Sequence, residues 1–221
     1  MRRDWDRRAR ENARHYIATA KTDWEDEQYF ESGRLNIHHE VLTDMGNVAQ
    51  GMDPKDMTVL EIGCGSGRLT RALADVFGSV YAVDISGEMI QRAAETLRDR
   101  PHAHVFQNNG ADLHVLDPVL RDGQVDFAFS YIVFQHIPSA EVIHSYVREV
   151  FRLLKPGGLF KFQVQGDASL ASDPADTWLG VPFSDRAAEA MAAESGFELR
   201  YRRHDGPQYF WLWFFKPADA R

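Results

Sequence analysis

Cysteine is nearly absent: among 221 residues there is one, Cys64. A single cysteine forms no intramolecular disulfide and supports no multi-cysteine zinc site. No apolar run reaches the length of roughly 20 residues that crosses a bilayer. Basic charge is in deficit, with 25 Lys and Arg against 33 Asp and Glu and a formal net charge of −8. Nonspecific nucleic-acid binding needs clustered cations, so such a surface is a poor platform for it. Internal repeats and low-complexity tracts are lacking too. The opening Met1–Ala20 stretch starts basic but has no apolar core and no small-residue cleavage site, so no secretory signal is expected. Apolar residues at 44% and charged residues at 26% are the balance of a folded globular domain, not of a disordered chain, coiled coil or fibre. A cytoplasmic protein, enzyme or binding module, is the default expectation.

The first 56 residues read as helical. Asp6 to Ala20 contains neither Pro nor Gly, and Asp23 to Phe30 places acidic residues at its start, as the helix dipole favours. Ser32-Gly33 is expected to break the second helix, with a third over Leu35 to Val48, interrupted or ended at Gly46. From Met57 the pattern changes. Short apolar runs at 57–62, 79–84, 104–107, 125–130 and 159–164 alternate with amphipathic stretches at 68–77, 87–98 and 140–154. That alternation implies an α/β fold with a parallel sheet covered on both faces. Ser184 is a helix cap and Gly196 a helix stop. Phe197–Tyr201 and Tyr209–Phe215 then read as an antiparallel hairpin joined through His204–Pro207. The very apolar Tyr209–Phe215 run is expected to be buried within the sheet.

The most informative segment is Val59–Gly67, VLEIGCGSG, a strand that runs into three alternating glycines and then opens a helix. Glycine permits a tight turn and close approach of backbone N–H groups to a ligand. Asp84 ends the next strand, 21 residues after Gly63, where a carboxylate can accept hydrogen bonds from ribose hydroxyls.

With these residues the chain resembles class I S-adenosylmethionine-dependent methyltransferases. Glu61-x-Gly63-x-Gly65-x-Gly67 matches the first family motif, and Val83-Asp84-Ile85-Ser86 with Met89 the second. Asn108-Asn109-Gly110-Ala111-Asp112 falls at the adenine loop, 126–138 at the fourth-strand motif and Leu154–Gly158 at the turn before strand five. The resemblance covers roughly 57–216 in order. It departs from the family at Asn109, where an Asp is common. It implies a Rossmann-like seven-stranded sheet, mostly parallel with an antiparallel last strand, helices on both faces and an N-terminal helical lid over 1–56. The glycine spacing differs from the Gly-x-Gly-x-x-Gly of nicotinamide-dependent reductases, the main rival.

The resemblance implies the cofactor S-adenosylmethionine, released as S-adenosylhomocysteine. Gly63, Cys64, Gly65 and Gly67 would approach it through backbone, and Glu61 would orient the loop or the cofactor ammonium. Asp84 would hold the ribose, Ile85 and Met89 the adenine ring, with Asn109, Gly110, Ala111 and Ser130 completing the pocket. Cys64 is read as a small loop residue, since no base stands beside it. His136, in the loop after strand four, is the candidate general base, with Gln135 orienting the acceptor. Tyr16 and Tyr29 are candidate acceptor contacts from the lid, and Ser32-Gly33-Arg34 a candidate turn reaching the cofactor carboxylate. The loop from Gly166 to Pro182, with Trp178, is expected to face substrate.

No metal is expected. His38 and His39 are adjacent on a helix, about 100° apart, and no other histidine spacing suits chelation. Arg2, Arg3, Arg7, Arg8, Arg10 and Arg14 are interleaved with Asp4, Asp6 and Glu11, the pattern of a solvated helix face. The short chain points to a small-molecule acceptor methylated at oxygen or nitrogen by a monomer or homodimer, without nucleic-acid or membrane partners. Methylation of a protein or RNA, or a noncatalytic cofactor-binding subunit, is the alternative.

Overall fold

A computed structural model describes residues 1–170 and 177–220. Seven strands follow the order β3-β2-β1-β4-β5-β7-β6 in one sheet. The chain divides into two compact units, Met1–Gly110 and Ala111–Arg221.

In the first unit, helices α1 (Arg2–Ile17), α2 (Asp26–Glu40) and α3 (Met45–Val48) precede β1 (Thr58–Ile62), α4 (Arg68–Val76), β2 (Ser79–Asp84), α5 (Gly87–Thr96) and β3 (Ala103–Gln107). The three strands pair in parallel. Val59, Leu60, Ile62, Val80, Ala82 and Val83 are buried, as expected of strands covered on both sides. Helix α1 kinks at Asn12, whose backbone leaves the helical region. The Asn12 carboxamide oxygen accepts from His15 N–H at 3.1 Å, so it caps the second, shorter segment.

Three N-terminal expectations are corrected. Helix α1 runs from Arg2 to Ile17 and stops short of Ala20. Ser32-Gly33 does not break α2, and Leu35–Val48 is not one helix, because the chain turns at Val41 and passes through Leu42–Asp44 into α3. Gly33 is present for packing. A Cβ there would lie 2.5 Å from the Arg68 carbonyl oxygen, where α2 crosses α4. Ser32 returns its hydroxyl to the Tyr29 carbonyl at 2.6 Å, so it sits inside the helix without an unpaired polar group. Arg34 is therefore helical and ion-paired with Glu31, not on a flexible turn.

Gly33→Ala is expected to cost about 1–3 kcal/mol through overpacking against backbone. Gly46→Ala, where nothing lies within 4 Å, is the matched control. Thermal melts of both variants check this: a clear drop for the first and little change for the second.

In the second unit, β4 (Val125–Ser130) pairs in parallel with β5 (Leu154–Gln165), and α6 (Ala140–Leu153) lies between them in sequence. Helix α7 (Asp185–Ser195) leads to β6 (Glu198–Asp205) and β7 (Tyr209–Phe215). Strand β7 runs antiparallel to both β5 and β6. It is the buried member of the hairpin, since Phe210 to Phe215 are all buried, while β6 is mostly exposed. Strand β6 extends to Asp205 instead of ending at Tyr201, and His204 stacks on Phe210 with ring centroids 4.0 Å apart. Ser86, Ser139 and Ser184 cap α5, α6 and α7 through hydroxyls that accept from Met89, Val142 and Ala187 N–H. Gly196, in the left-handed region at φ 81°, closes α7.

Candidate functional site

The glycine loop between β1 and α4 is held to the end of β2. Gly63 and Cys64 N–H both donate to the Val83 carbonyl, at 2.8 and 3.0 Å. Gly63, Gly65 and Gly67 have φ of 79°, 53° and 85°, the region glycine enters without strain. Gly65 N–H then donates to Asp84 Oδ2 at 2.9 Å, and Ser86 N–H donates to Asp84 Oδ1 at 2.8 Å. One carboxylate thus joins the glycine loop to the start of α5. Each of its oxygens keeps a further acceptor position. Burial pushes the Asp84 carboxyl up to about 6, against the lowering effect of the Ser86 and Gly65 N–H bonds.

Glu61 is buried and accepts from the Thr70 hydroxyl at 2.6 Å. Burial pushes it up to about 7, opposed by Thr70 and by the Arg68 charge. Burial also drives the Cys64 thiol well above its ordinary value, so it offers no thiolate at neutral pH.

Helix α1 is fastened across the α5 side of this loop. Asp6 accepts from the Ser86 hydroxyl at 2.6 Å, Arg10 pairs with Glu88 at 3.0 Å, and Arg2 donates to the Asn108 carbonyl at 3.0 Å. The spacing i, i+4, i+8 puts these three on one helix face. Ala9, Ala13 and Ile17 pack with Met89. Ile17 lies so close to Gly65 that a Cβ there would fall 2.7 Å from its Cδ1. Gly110, at φ 81°, closes similarly on Ile85, whose Cδ1 would be 2.4 Å from an added Cβ.

Of the lid tyrosines, Tyr29 is buried with its hydroxyl 2.9 Å from Ser66 Oγ, inside the glycine loop. Burial raises its phenol. Tyr16 is half-buried on the last turn of α1 and donates to Glu11 at 3.0 Å. The structure therefore gathers Gly63, Gly65, Gly67, Asp84 and Met89 with Tyr29 and α1, and sets Ile85 against Gly110. Asp6, Ser66 and Thr70 join them without having been singled out in the sequence. Asp6 lies in an apparently solvated Arg-rich face, and nothing local marks its partner 80 positions away.

In the second unit, Ser130 ends β4 fully buried. Ile132 follows with φ 56°. A β-branched residue there costs of order 1–3 kcal/mol and persists only where its surroundings hold it. Gln135 and His136 are buried, and the His136 ring lies 5.1 Å from the Trp178 ring. Within the expected 166–182 substrate loop, residues 171–176 lie outside the described residues. Among the described residues no group of three or more His, Cys, Asp or Glu side chains could hold a metal ion, and no helix is long and apolar enough to cross a membrane.

The seven-stranded sheet with β7 antiparallel is the fold of solved S-adenosylmethionine-dependent methyltransferases. Residues 60–162 match the methyltransferase domain family. The chain is 35% identical over 103 residues to phosphoethanolamine N-methyltransferase 2 of Caenorhabditis elegans, covering 46% of this chain and 22% of that protein. It is 32% identical over 112 residues to the malonyl-[acyl-carrier protein] O-methyltransferase of Enterobacter lignolyticus, covering 51% and 40%. The chain thus spans less than half the length of these two relatives. Its fold superposes on magnesium protoporphyrin IX methyltransferase from Synechocystis PCC 6803, solved with bound S-adenosylmethionine, at a TM-score of 0.67 and 15% identity, covering 97% and 94% of the two chains.

Proposed function

We propose that this protein is an S-adenosylmethionine-dependent methyltransferase acting on an oxygen or nitrogen atom of a small molecule. The observation that carries the reading is Asp84, which receives Gly65 and Ser86 N–H while ending β2 beside three left-handed glycines. Both elements lie at strand carboxyl ends, where open α/β sheets bind nucleotide ligands. Bound S-adenosylmethionine supplies a methyl group on a sulfonium, which leaves as neutral S-adenosylhomocysteine.

The chain's own residues bind and orient. We assign the backbone of Gly63, Cys64, Gly65 and Gly67 to the amino-acid end of the cofactor, and Asp84 to its ribose. Ile85 and Met89 are assigned to the adenine face, and Asn109, Gly110 and Ala111 to its edge. Glu61 serves the ammonium or the loop itself, and Ser130 the floor after β4. Gln135 and His136, with Tyr16, are assigned to the acceptor. Helix α1, fastened by Asp6, Arg10 and Ile17, is assigned the lid role that excludes water. Catalysis is then chiefly alignment of nucleophile and methyl group. Relatives named for phosphoethanolamine and for an acyl-carrier-bound malonyl group support a small acceptor. A cytoplasmic monomer or homodimer fits this reading.

The test is transfer of labelled methyl from S-adenosylmethionine into fractionated cell extract. Label is expected in the small-molecule fraction. Label in precipitable material would replace that acceptor by a protein or RNA. Binding of S-adenosylhomocysteine without any transfer would make the protein a noncatalytic subunit, and binding of NAD in its place would return the reductase reading.

A further inference from the structure

Three buried side chains of the second unit form a directed chain of hydrogen bonds between two backbone atoms. Ile132 N–H donates to Gln163 Oε1 at 3.1 Å. Gln163 Nε2 donates to Gln135 Oε1 at 2.5 Å. Gln135 Nε2 lies 3.3 Å from His136 Nε2, and His136 Nδ1 lies 2.5 Å from the Trp178 carbonyl oxygen. Gln163 is fully buried, with Gln135 and His136 nearly so. The two ends have fixed polarity, since a backbone N–H only donates and a carbonyl only accepts.

That polarity orients every group between them. Gln163 must turn its oxygen to Ile132, so its NH2 faces Gln135. Gln135 must then present its oxygen to Gln163 and its NH2 to His136. His136 must accept at Nε2 and carry its proton at Nδ1. Amide and imidazole orientations are assigned from such networks, and here both ends agree. We propose that Gln163 is a positioning residue that, through Gln135, sets His136 as the neutral Nδ1–H tautomer and ties the strained turn after β4 to the Trp178 segment.

A second proton, on His136 Nε2, would face the Gln135 NH2. Flipping Gln135 moves the donor–donor conflict to Gln163, and flipping Gln163 moves it to Ile132 N–H, which cannot turn. Within this chain of bonds one buried donor stays opposed wherever the conflict is placed, and such a group is costly. His136 is therefore an orienting ring in place of the general base expected from its position. This deepens the methyltransferase reading, on which its relevance to an acceptor rests, but the tautomer itself does not depend on that reading.

The experiment is nitrogen-15 imidazole spectroscopy at fixed neutral pH, with the His136 signals assigned by their loss in His136→Gln. Wild type is expected to show a protonated Nδ1 and a bare Nε2. In Gln163→Glu the carboxylate accepts from both Ile132 N–H and Gln135 NH2. Gln135 then turns its oxygen to His136, and Nε2 is expected to gain a proton while Nδ1 keeps its own. Gln135→Glu should give the same change with Gln163 intact, which covers the case in which the first variant fails to fold. A merely structural role would lower stability in both variants without moving the proton. A bare Nδ1 in wild type, or an unchanged bare Nε2 in the folded variants, overturns the proposal. S-adenosylhomocysteine titrated into wild-type protein tests the parent reading separately: failure to bind sinks that reading and leaves the tautomer result standing.

Discussion

Asp84→Asn is expected to weaken S-adenosylhomocysteine binding on the order of 100-fold at pH 7.5, equivalent to roughly 3 kcal/mol. The native carboxylate uses one oxygen for Gly65 N–H and the other for Ser86 N–H. An amide has one oxygen, so its NH2 must oppose one of the two backbone donors. The loop or the start of α5 then moves, and the acceptor positions assigned to the ribose are lost together. Wild type has a pH dependence of its own. With its carboxyl pushed up to about 6, Asp84 is ionised above that value and protonates below it. A protonated acid has lost acceptor capacity, so affinity is expected to fall as pH drops from 7.5 to 5.5. In Asp84→Asn the fall centred near 6 should vanish, leaving only the weaker dependence of Glu61 near 7. Calorimetric titration of both proteins at the two pH values tests the account, with thermal melts to confirm folding. Affinity within threefold of wild type at pH 7.5 would place the ribose elsewhere.

The elements legible in the sequence are those whose cause is local. Strands β1, β2 and β4 are short, mostly apolar runs, and Ser184 with Gly196 brackets α7 by cap chemistry. The glycine loop and Asp84 are legible because their spacing is fixed by one strand–turn–helix unit. Gly33 reads as a helix breaker locally, yet α2 continues because Arg68, 35 positions on, approaches too closely for any side chain. Strand β6, Glu198–Asp205, reads poorly because an exposed edge strand carries charge and little apolar alternation. The supports of the site were hidden for the same reason as Gly33. Tyr29 reaches Ser66 across 37 positions, Asp6 reaches Ser86 across 80, and Gln163 reaches Ile132 across 31. One-dimensional patterns record the local strand–turn–helix motif and omit the residues that hold it in place.

Glu61→Gln should separate stability from function with opposite signs. Burial holds the Glu61 carboxyl at about 7 in the folded chain. In the unfolded chain it titrates near the ordinary value for glutamate, roughly 4.3. The folded state therefore binds the proton more tightly, and stability declines as pH rises between these two values. Above pH 7 the full cost of a desolvated charge is present, on the order of 3–4 kcal/mol. Glutamine removes the charge and still accepts from the Thr70 hydroxyl, which lies 2.6 Å from the native carboxylate. At pH 8 the variant should melt on the order of 10 °C higher than wild type. At pH 5, where wild type already carries the proton, the two should melt together. The carboxylate assigned to the cofactor ammonium or to the loop is lost at both pH values, so S-adenosylhomocysteine affinity at pH 8 should fall about tenfold, as for one charge-assisted hydrogen bond. A variant no more stable at pH 8 would mean that Glu61 is not charged and desolvated there. A stabilised variant that binds as tightly as wild type would leave Glu61 a structural partner of Thr70 alone, and the ammonium contact would have to come from another group.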